Sequence, residues 1–466
     1  MNIQFAGAAR QVTGSCYYLE GRSCRFLVDC GLHQERDHLD RNWDPFPFDP
    51  GRLDAVFLTH VHLDHSGLLP RLVKEGFRGP VYATDASGEL LPIVLEDSAH
   101  IQVEDAEFKQ KRHKRQGRRG PHPEIPLYTV EDAAAVRPLV RTVAYEKPVP
   151  VRDGVTVVFH DAGHILGSAM IEIVAGEGGT ERRIIFSGDI GQWGKPIVCD
   201  PTVFSQADEI VMESTYGDRD HEDIALIPDL LSAVIVKTVR AGGNILIPTF
   251  AVERAQDLLY YLSRLSAEKR IPRIMAFLDS PMAVDVTEVF EKNRKDMEPE
   301  LRAEFEAGRQ PFRFPGLELV RTPEESKAIN AIRGSCLIMA GSGMCNGGRI
   351  KHHLTLNISR PECAVVFVGY QARGTLGREI LEGRSPVRIH GDLYPVRAGV
   401  SQIEGFSAHA DRKSLLRWLS HFQKPPRHLF LVHGEPEVSE GLGEFIRQTW
   451  SWPVSVPGRL EKWNLD

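Results

Sequence analysis

The run Thr59-His60-Val61-His62-Leu63-Asp64-His65 gathers three imidazoles and one carboxylate into a few consecutive residues. Neutral imidazole and carboxylate are the usual zinc donors where thiolates are absent. His60 and His62 alternate, so an extended segment points both to one side. Asp64 and His65 then fall where the chain turns into a helix expected over 66–74. A lone histidine is more often a satisfied core or surface residue, but four donors at this spacing predict a metal site.

Two further pieces can complete it. One is Asp161-Ala162-Gly163-His164, followed by Gly167-Ser168, and the other is Phe186-Ser187-Gly188-Asp189-Ile190-Gly191. Small residues around His164 and Asp189 allow backbone to approach a crowded centre. Each piece alone is weak, because Gly-His and Gly-Asp occur in ordinary turns. With the first run they supply a fourth ligand for one metal and a carboxylate able to bridge two.

These residues need elements to hold them. Short, mostly β-branched apolar runs at 24–28, 55–58, 155–159, 183–186 and 210–212 read as buried strands, as do later ones at 244–247, 273–278, 336–339, 364–368 and 428–432. Stretches 251–262 and 411–419 read as amphipathic helices, which makes the chain an α/β protein. The polar chemistry follows the strands. Asp29, His60, Asp189, Glu213 and His433 each come just after such a run, where α/β folds expose ligand groups on a rigid base.

A chain of 466 residues is too long for one ordinary core, so two or three domains are expected. With 42% hydrophobic and 26% charged residues it has a globular composition, and its net charge of -7 argues against a generic basic nucleic-acid coat protein. The opening MNIQFAGAARQVTG has no basic segment leading into an apolar one, and no apolar run approaches a membrane span. Seven scattered cysteines without a CxxC suggest reduced thiols in a cytoplasmic protein with no membrane association. One segment stands apart: Lys109, Lys111, Arg112, Lys114, Arg115, Arg118 and Arg119 occur without an intervening acid, before Pro121, Pro123 and Pro126. It reads as a basic helix end running into a loop, either a solvated face or a phosphate-facing patch.

The HxHxDH run with its downstream histidine and aspartate closely resembles the metallo-β-lactamase superfamily. That resemblance implies an αββα sandwich with metal at one edge. It assigns His60, His62, His164 and Asp189 to one zinc, and Asp64, His65 and Asp189 with one further ligand to a second. Asp29 matches the superfamily's early aspartate, which steadies the site.

Fold cannot choose among the chemistries of that superfamily, but the second half of the chain narrows them. Glu213 in Val211-Met-Glu-Ser-Thr-Tyr-Gly217, His409 in Phe406-Ser-Ala-His-Ala-Asp411 and His433 in Leu431-Val-His-Gly-Glu435 match motifs A, B and C of the β-CASP nucleases. Segments 248–254, 278–282, 341–348 and 369–374 extend the similarity, particularly to stand-alone prokaryotic relatives of the cleavage and polyadenylation specificity factor nuclease subunit. The resemblance implies a metallo-β-lactamase domain in 1–212 and 403–466 interrupted by an inserted α/β β-CASP domain in 213–402. It makes His433 the remaining ligand of the second zinc, and histidine at motif C favours RNA over DNA. The chain lacks the KH extension of archaeal relatives and the long C-terminal domain of RNase J-type enzymes, which leaves target selection open.

The implied function is hydrolysis of RNA phosphodiesters by a hydroxide that two Zn2+ ions activate. His409 would be general acid and Glu213 its orienting partner, with Asp64 and Asp29 completing the catalytic set. The glycine-rich loop 341–348 suggests RNA contact at Ser342 and Gly343, with Arg254 and Arg373 at neighbouring phosphates, although a tight turn and surface salt bridges explain these residues equally well. The alternatives are a hydrolase of DNA or of a small ester, lactone or thioester, and a non-catalytic RNA-binding scaffold. RNA is the expected partner, and a homodimer is possible.

Overall fold

The computed structural model describes residues 1–22, 24–117, 124–177, 180–372 and 374–465, without the side chains at 112, 116, 177 and 180. The chain divides into two compact units. One comprises Met1–Trp193, Asp200–Asp220 and His409–Asp466; the other comprises Gly194–Cys199 and His221–Ala408.

The first unit contains two seven-stranded sheets. In one, strands run in the order Lys462–Asn464, Asn2–Gly7, Cys16–Glu20, Arg25–Val28, Ala55–Phe57, Val81–Thr84, Val140–Val143. In the other the order is Val454–Ser455, His428–Val432, Glu209–Glu213, Thr180–Phe186, Ala169–Glu177, Val155–Asp161, Val149–Arg152. Alternation decides which side chains meet between them. Val155, Val157 and Phe159 point inward with Ile171, Ile173, Ile184 and Phe186, against Phe5, Tyr17, Phe26 and Phe57 of the first sheet. Aromatic rings seal this layer: Phe5 and Phe430 lie 5.1 Å apart, and Tyr17 and Phe186 5.8 Å. The opposite set, Met170, Ile185, Ile210 and Met212, packs under helices Arg412–Leu419 and Pro436–Trp450 through Leu415, Trp418, Leu442 and Ile446. Helix Asp85–Gln116 packs against the far strands of the first sheet. The result is the αββα sandwich that the resemblance implied.

The second unit is a six-stranded parallel sheet ordered Leu317–Val320, Met275–Asp279, Cys336–Ala340, Ile245–Pro248, Ala364–Phe367, Gly399–Gln402. Its inner strands Cys336–Ala340, Ile245–Pro248 and Ala364–Phe367 are buried along their length, as parallel strands must be when helices cover both faces. Leu246, Ile338, Val365 and Phe367 pack against Ile350 and Leu354 of helix Ile350–Asn357.

Two expected helices change shape. The one placed over 66–74 is two short pieces, Leu63–Ser66 and Leu69–Lys74. The one placed over 251–262 is helix Arg254–Ala267, because Glu253 takes φ 64° and turns the chain before the helix can start. The seven cysteines carry no disulfide, and all but Cys199 are buried. Among the described residues no helix is long and apolar enough to cross a membrane.

Candidate metal centre

Every expected ligand of the first unit lies just beyond a strand end or in the turn that follows. His60 and His62 come after strand Ala55–Phe57, and Asp64 and His65 occupy the single helical turn Leu63–Ser66. His164 follows Val155–Asp161, Asp189 follows Thr180–Phe186 and His433 follows His428–Val432. Backbone bonds pin the turn: Ser15 N–H donates to the Asp64 carbonyl at 2.8 Å, and Cys30 N–H to the His65 carbonyl at 2.7 Å. Two glycines are required by close approach. A Cβ at Gly31 would sit 1.7 Å from the Asp64 carbonyl oxygen, and one at Gly191 1.7 Å from that of Gly163, beside His164.

The donors converge as two sets. His60 Nε2 lies 3.1 Å from His62 Nδ1, and His164 Nε2 lies 3.3 Å from the same atom. Asp189 Oδ2 completes this set at 3.4 Å from His60 Nε2 and 3.5 Å from His164 Nε2. In the other set, His65 Nε2 lies 3.2 Å from His433 Nε2 and from Asp189 Oδ1, and His433 Nε2 lies 3.4 Å from Asp64 Oδ2. The two oxygens of Asp189 therefore face different sets.

Zinc fits this arrangement. Donors about 2.0–2.1 Å from a tetrahedral zinc are separated by about 3.3–3.4 Å, and the first set spans 3.1–3.5 Å. Asp189 is 2% exposed and its Oδ1 accepts no hydrogen bond, which leaves a buried carboxylate needing a cation. Burial drives the His60 and His164 imidazoles well below their ordinary range and His62 to about 4, so all three present lone pairs. Burial alone would raise Asp64, but the bond to His433 and the neighbouring His65 outweigh it and hold the carboxyl at about 2.

Hydroxyls and carboxylates behind the donors set their orientation. Asp29, fully buried at φ 59°, takes Thr59 N–H and Thr59 Oγ1 at 2.8 Å each and faces His65 Nδ1 at 2.7 Å, which leaves Nε2 for the centre. Thr215 does the same for His433: its hydroxyl donates to the His433 carbonyl at 3.0 Å and receives Nδ1–H at 3.0 Å. Asp29 was expected from sequence. Thr59 and Thr215 were not singled out, although Thr59 directly precedes His60 and Thr215 lies two residues after Glu213.

Glu213 and His409 adjoin the centre. Glu213 ends strand Glu209–Glu213, is fully buried, and takes Ile190 N–H at 2.5 Å. His409 forms an isolated β-bridge with Gly191, and its Nδ1 lies 3.1 Å from Glu213 Oε2 and 3.8 Å from Asp189 Oδ2. Burial would lower the His409 imidazole, but Glu213 and Asp189 outweigh it and raise it to about 9.

The remaining candidates sit elsewhere. Arg254, Ser342 and Gly343 belong to the second unit, in segments that follow Ile245–Pro248 and Cys336–Ala340. Arg254 donates to the Val368 carbonyl at 2.9 Å, Gly343 accepts from Gln371 at 3.1 Å, and Ser342 bonds within its own loop to Gly347. Arg373 lies outside the described residues. In the basic run, Lys109, Lys111, Lys114 and Arg115 are exposed along the last turns of helix Asp85–Gln116, and Arg118 and Arg119 lie outside the described residues.

Known proteins match this chain along most of its length. Residues 9–209 match the metallo-beta-lactamase superfamily, 255–380 the Beta-Casp domain, and 393–457 the Zn-dependent metallo-hydrolase RNA specificity domain. The chain is 42% identical to ribonuclease TTHA0252 of Thermus thermophilus over 96% of each chain. It is 30% identical to the transcription termination factor FttA of Methanosarcina mazei, over 96% of this chain and 69% of that one, and 31% identical to FttA of Methanothermobacter thermautotrophicus, over 98% and 70%. A protein of unknown function from Enterococcus faecalis shares the fold at TM-score 0.56 and 11% identity, over 99% of both chains. This chain belongs to the β-CASP family of zinc-dependent hydrolases within the metallo-β-lactamase superfamily.

Proposed function

We propose that the protein is a ribonuclease that hydrolyses RNA phosphodiesters with two zinc ions. The observation that carries this reading is the Glu213–His409 pair set beside two donor groups that share Asp189. Hydrolysis of a small ester needs no such separate acid. Similarity to a protein named ribonuclease supports RNA as the substrate, and the RNA specificity model covering 393–457 includes His409 and His433.

His60, His62, His164 and Asp189 would hold one ion, and Asp64, His65 and His433, with Asp189 Oδ1 3.2 Å from His65 Nε2, the other. Bound zinc supplies a water acidic enough to act as nucleophile near neutral pH and offsets charge on the phosphate oxygens. His409 acts on the departing side. Its Nδ1–H is committed to Glu213, so Nε2–H is the proton available to the leaving 3′ oxygen. Glu213 orients the ring and, with Asp189, favours its charged form. The products are a 5′ phosphate and a 3′ hydroxyl. Asp29 and Thr215 hold His65 and His433 in the tautomers that direct Nε2 inward. In the second unit, Ser342, Gly343, Arg254 and Arg373 are the candidates for contact with the RNA backbone, and the division into 1–212 with 403–466 and 213–402 belongs to the same reading.

The test is incubation of zinc-loaded protein with end-labelled RNAs, with and without a 5′ phosphate, beside matched DNA and a chromogenic ester. RNA cleavage lost on chelation supports the reading, and product ends distinguish internal cutting from 5′ exonuclease action. Ester or DNA hydrolysis with intact RNA would overturn it.

A further inference from the structure

Helix Asp85–Gln116 has a face that nothing in the described fold covers. Taking about 100° per residue, Ser98, Gln102, Ala106, Gln110 and His113 lie on one side, where segment 124–128 folds back on them. Tyr128 bonds Ser98 at 2.8 Å, Leu127 N–H donates to Gln102 at 3.2 Å, and Glu124 meets Gln110 and His113. On the opposite side, within an arc of about 120°, the described side chains are Ile101, Glu104, Asp105, Phe108, Lys111 and Arg115, all exposed. Phe108 is 65% exposed, more than any other large hydrophobic side chain described, and Ile101 is 53% exposed. One isolated apolar side chain on a surface needs no explanation; two spaced seven residues apart on a single helical stripe form a seam.

The charges on that stripe are antisymmetric about Phe108. Glu104 and Asp105 precede it, and Lys111 and Arg115 follow it. Turn the helix end over end about Phe108 and the acidic half falls on the basic half: Asp105 opposite Lys111, and Ile101 opposite the aliphatic stem of Arg115, with Phe108 meeting itself. A surface that is its own complement under a two-fold rotation is what an isologous dimer contact requires. Among the described residues, the one ion-pair partner of these side chains is Glu107, 3.4 Å from Lys111, in an exposed pair that is worth little.

We propose that residues 101–115 of this helix form a self-association surface, pairing antiparallel with the same stripe of a second copy of the chain. A single pair of helices about 22 Å long buries less than the roughly 1,200 Å² of a standard interface, so the dimer is weak, with dissociation on the order of 10 µM. The proposal is independent of the catalytic reading. The basic end of the helix is occupied by the acidic residues of the second copy rather than by phosphate.

Sedimentation of the full chain over a concentration series tests this, with two charge-reversed variants. Glu104→Lys/Asp105→Lys reverses the acidic half of the stripe, and Lys111→Glu/Arg115→Glu reverses the described charges of its basic half. Each alone is expected to weaken dimerisation at least about tenfold, and an equimolar mixture of the two restores it. Phe108→Ser weakens it by a similar factor. All substitutions are on an exposed helix face, so folding is retained and is checked by circular dichroism. A wild-type chain that stays monomeric at about ten times the expected constant overturns the proposal. So does a dimer indifferent to both reversals. Loss of RNA binding in the Lys111→Glu/Arg115→Glu variant with an unchanged dimer also overturns it, by assigning the stripe to nucleic acid.

Discussion

His409 Nδ1 lies 3.1 Å from Glu213 Oε2, although 196 positions separate the two in the chain. The bond uses one ring nitrogen and leaves the other to act, and the carboxylate it uses is itself held by Ile190 N–H. His409 is thus oriented from outside the two donor sets.

His409→Ala is therefore expected to retain zinc and lose about 10²–10⁴-fold in cleavage rate, the range of a missing general acid. Zinc content by elemental analysis decides between roles. A loss of metal parallel to the loss of activity would make His409 a ligand instead. Glu213→Gln should lie between His409→Ala and wild type.

Asp29→Asn removes the acceptor that fixes the His65 tautomer. Zinc affinity should fall about 10–100-fold in a competition titration with a chelator, with the helical content unchanged. Unaltered affinity would show that His65 needs no such partner.

Thr215→Val keeps the shape but loses the hydroxyl on His433 Nδ1. Binding at the set that contains His433 should be selectively loosened, again about 10–100-fold, while the set around His164 is unaffected. Equal loosening of both would contradict the separation of His433 from the set around His164.

His160 is held between two carboxylates, with Nδ1 2.8 Å from Glu146 and Nε2 2.9 Å from Glu172. Burial would lower its pKa, but the bonds to Glu172 and Glu146 outweigh it and raise it. A raised histidine stabilises the fold fully below its unfolded value of about 6.5, and that contribution disappears as pH rises through the folded value. Urea midpoints should thus fall between pH 6 and pH 9 more for wild type than for His160→Gln. Parallel falls would remove His160 from the pH response.

Lys195 and Asp257 form a fully buried ion pair at 2.9 Å in the second unit. Lys195→Met strands the carboxylate and should cost about 3–5 kcal/mol by denaturant unfolding. The double variant Lys195→Met/Asp257→Leu should recover most of it, because the desolvated charge is gone. A double variant no more stable than the single one would mean that packing, not charge, sets the loss.

The candidate metal-binding groups were legible because their chemistry is local. His60, His62, Asp64 and His65 lie within one loop and turn, and donor type with spacing is enough to recognise them. The αββα architecture followed from the family resemblance, while apolar runs such as 155–159 indicated only an α/β protein. Local pattern failed at Glu253, where a backbone dihedral, not hydrophobicity, set the helix start.

The sequence by itself determined which groups could bind metal or move a proton, since a side chain's chemistry travels with its identity. Only the tertiary structure decided which atoms face each other. Parallel pairing of Glu209–Glu213 with His428–Val432 sets Glu213 beside Val432, and so brings Thr215 to His433. Asp189 turns one oxygen to each donor set for the same reason: its position comes from strands paired across long stretches of chain, and no short-range spacing records that distance.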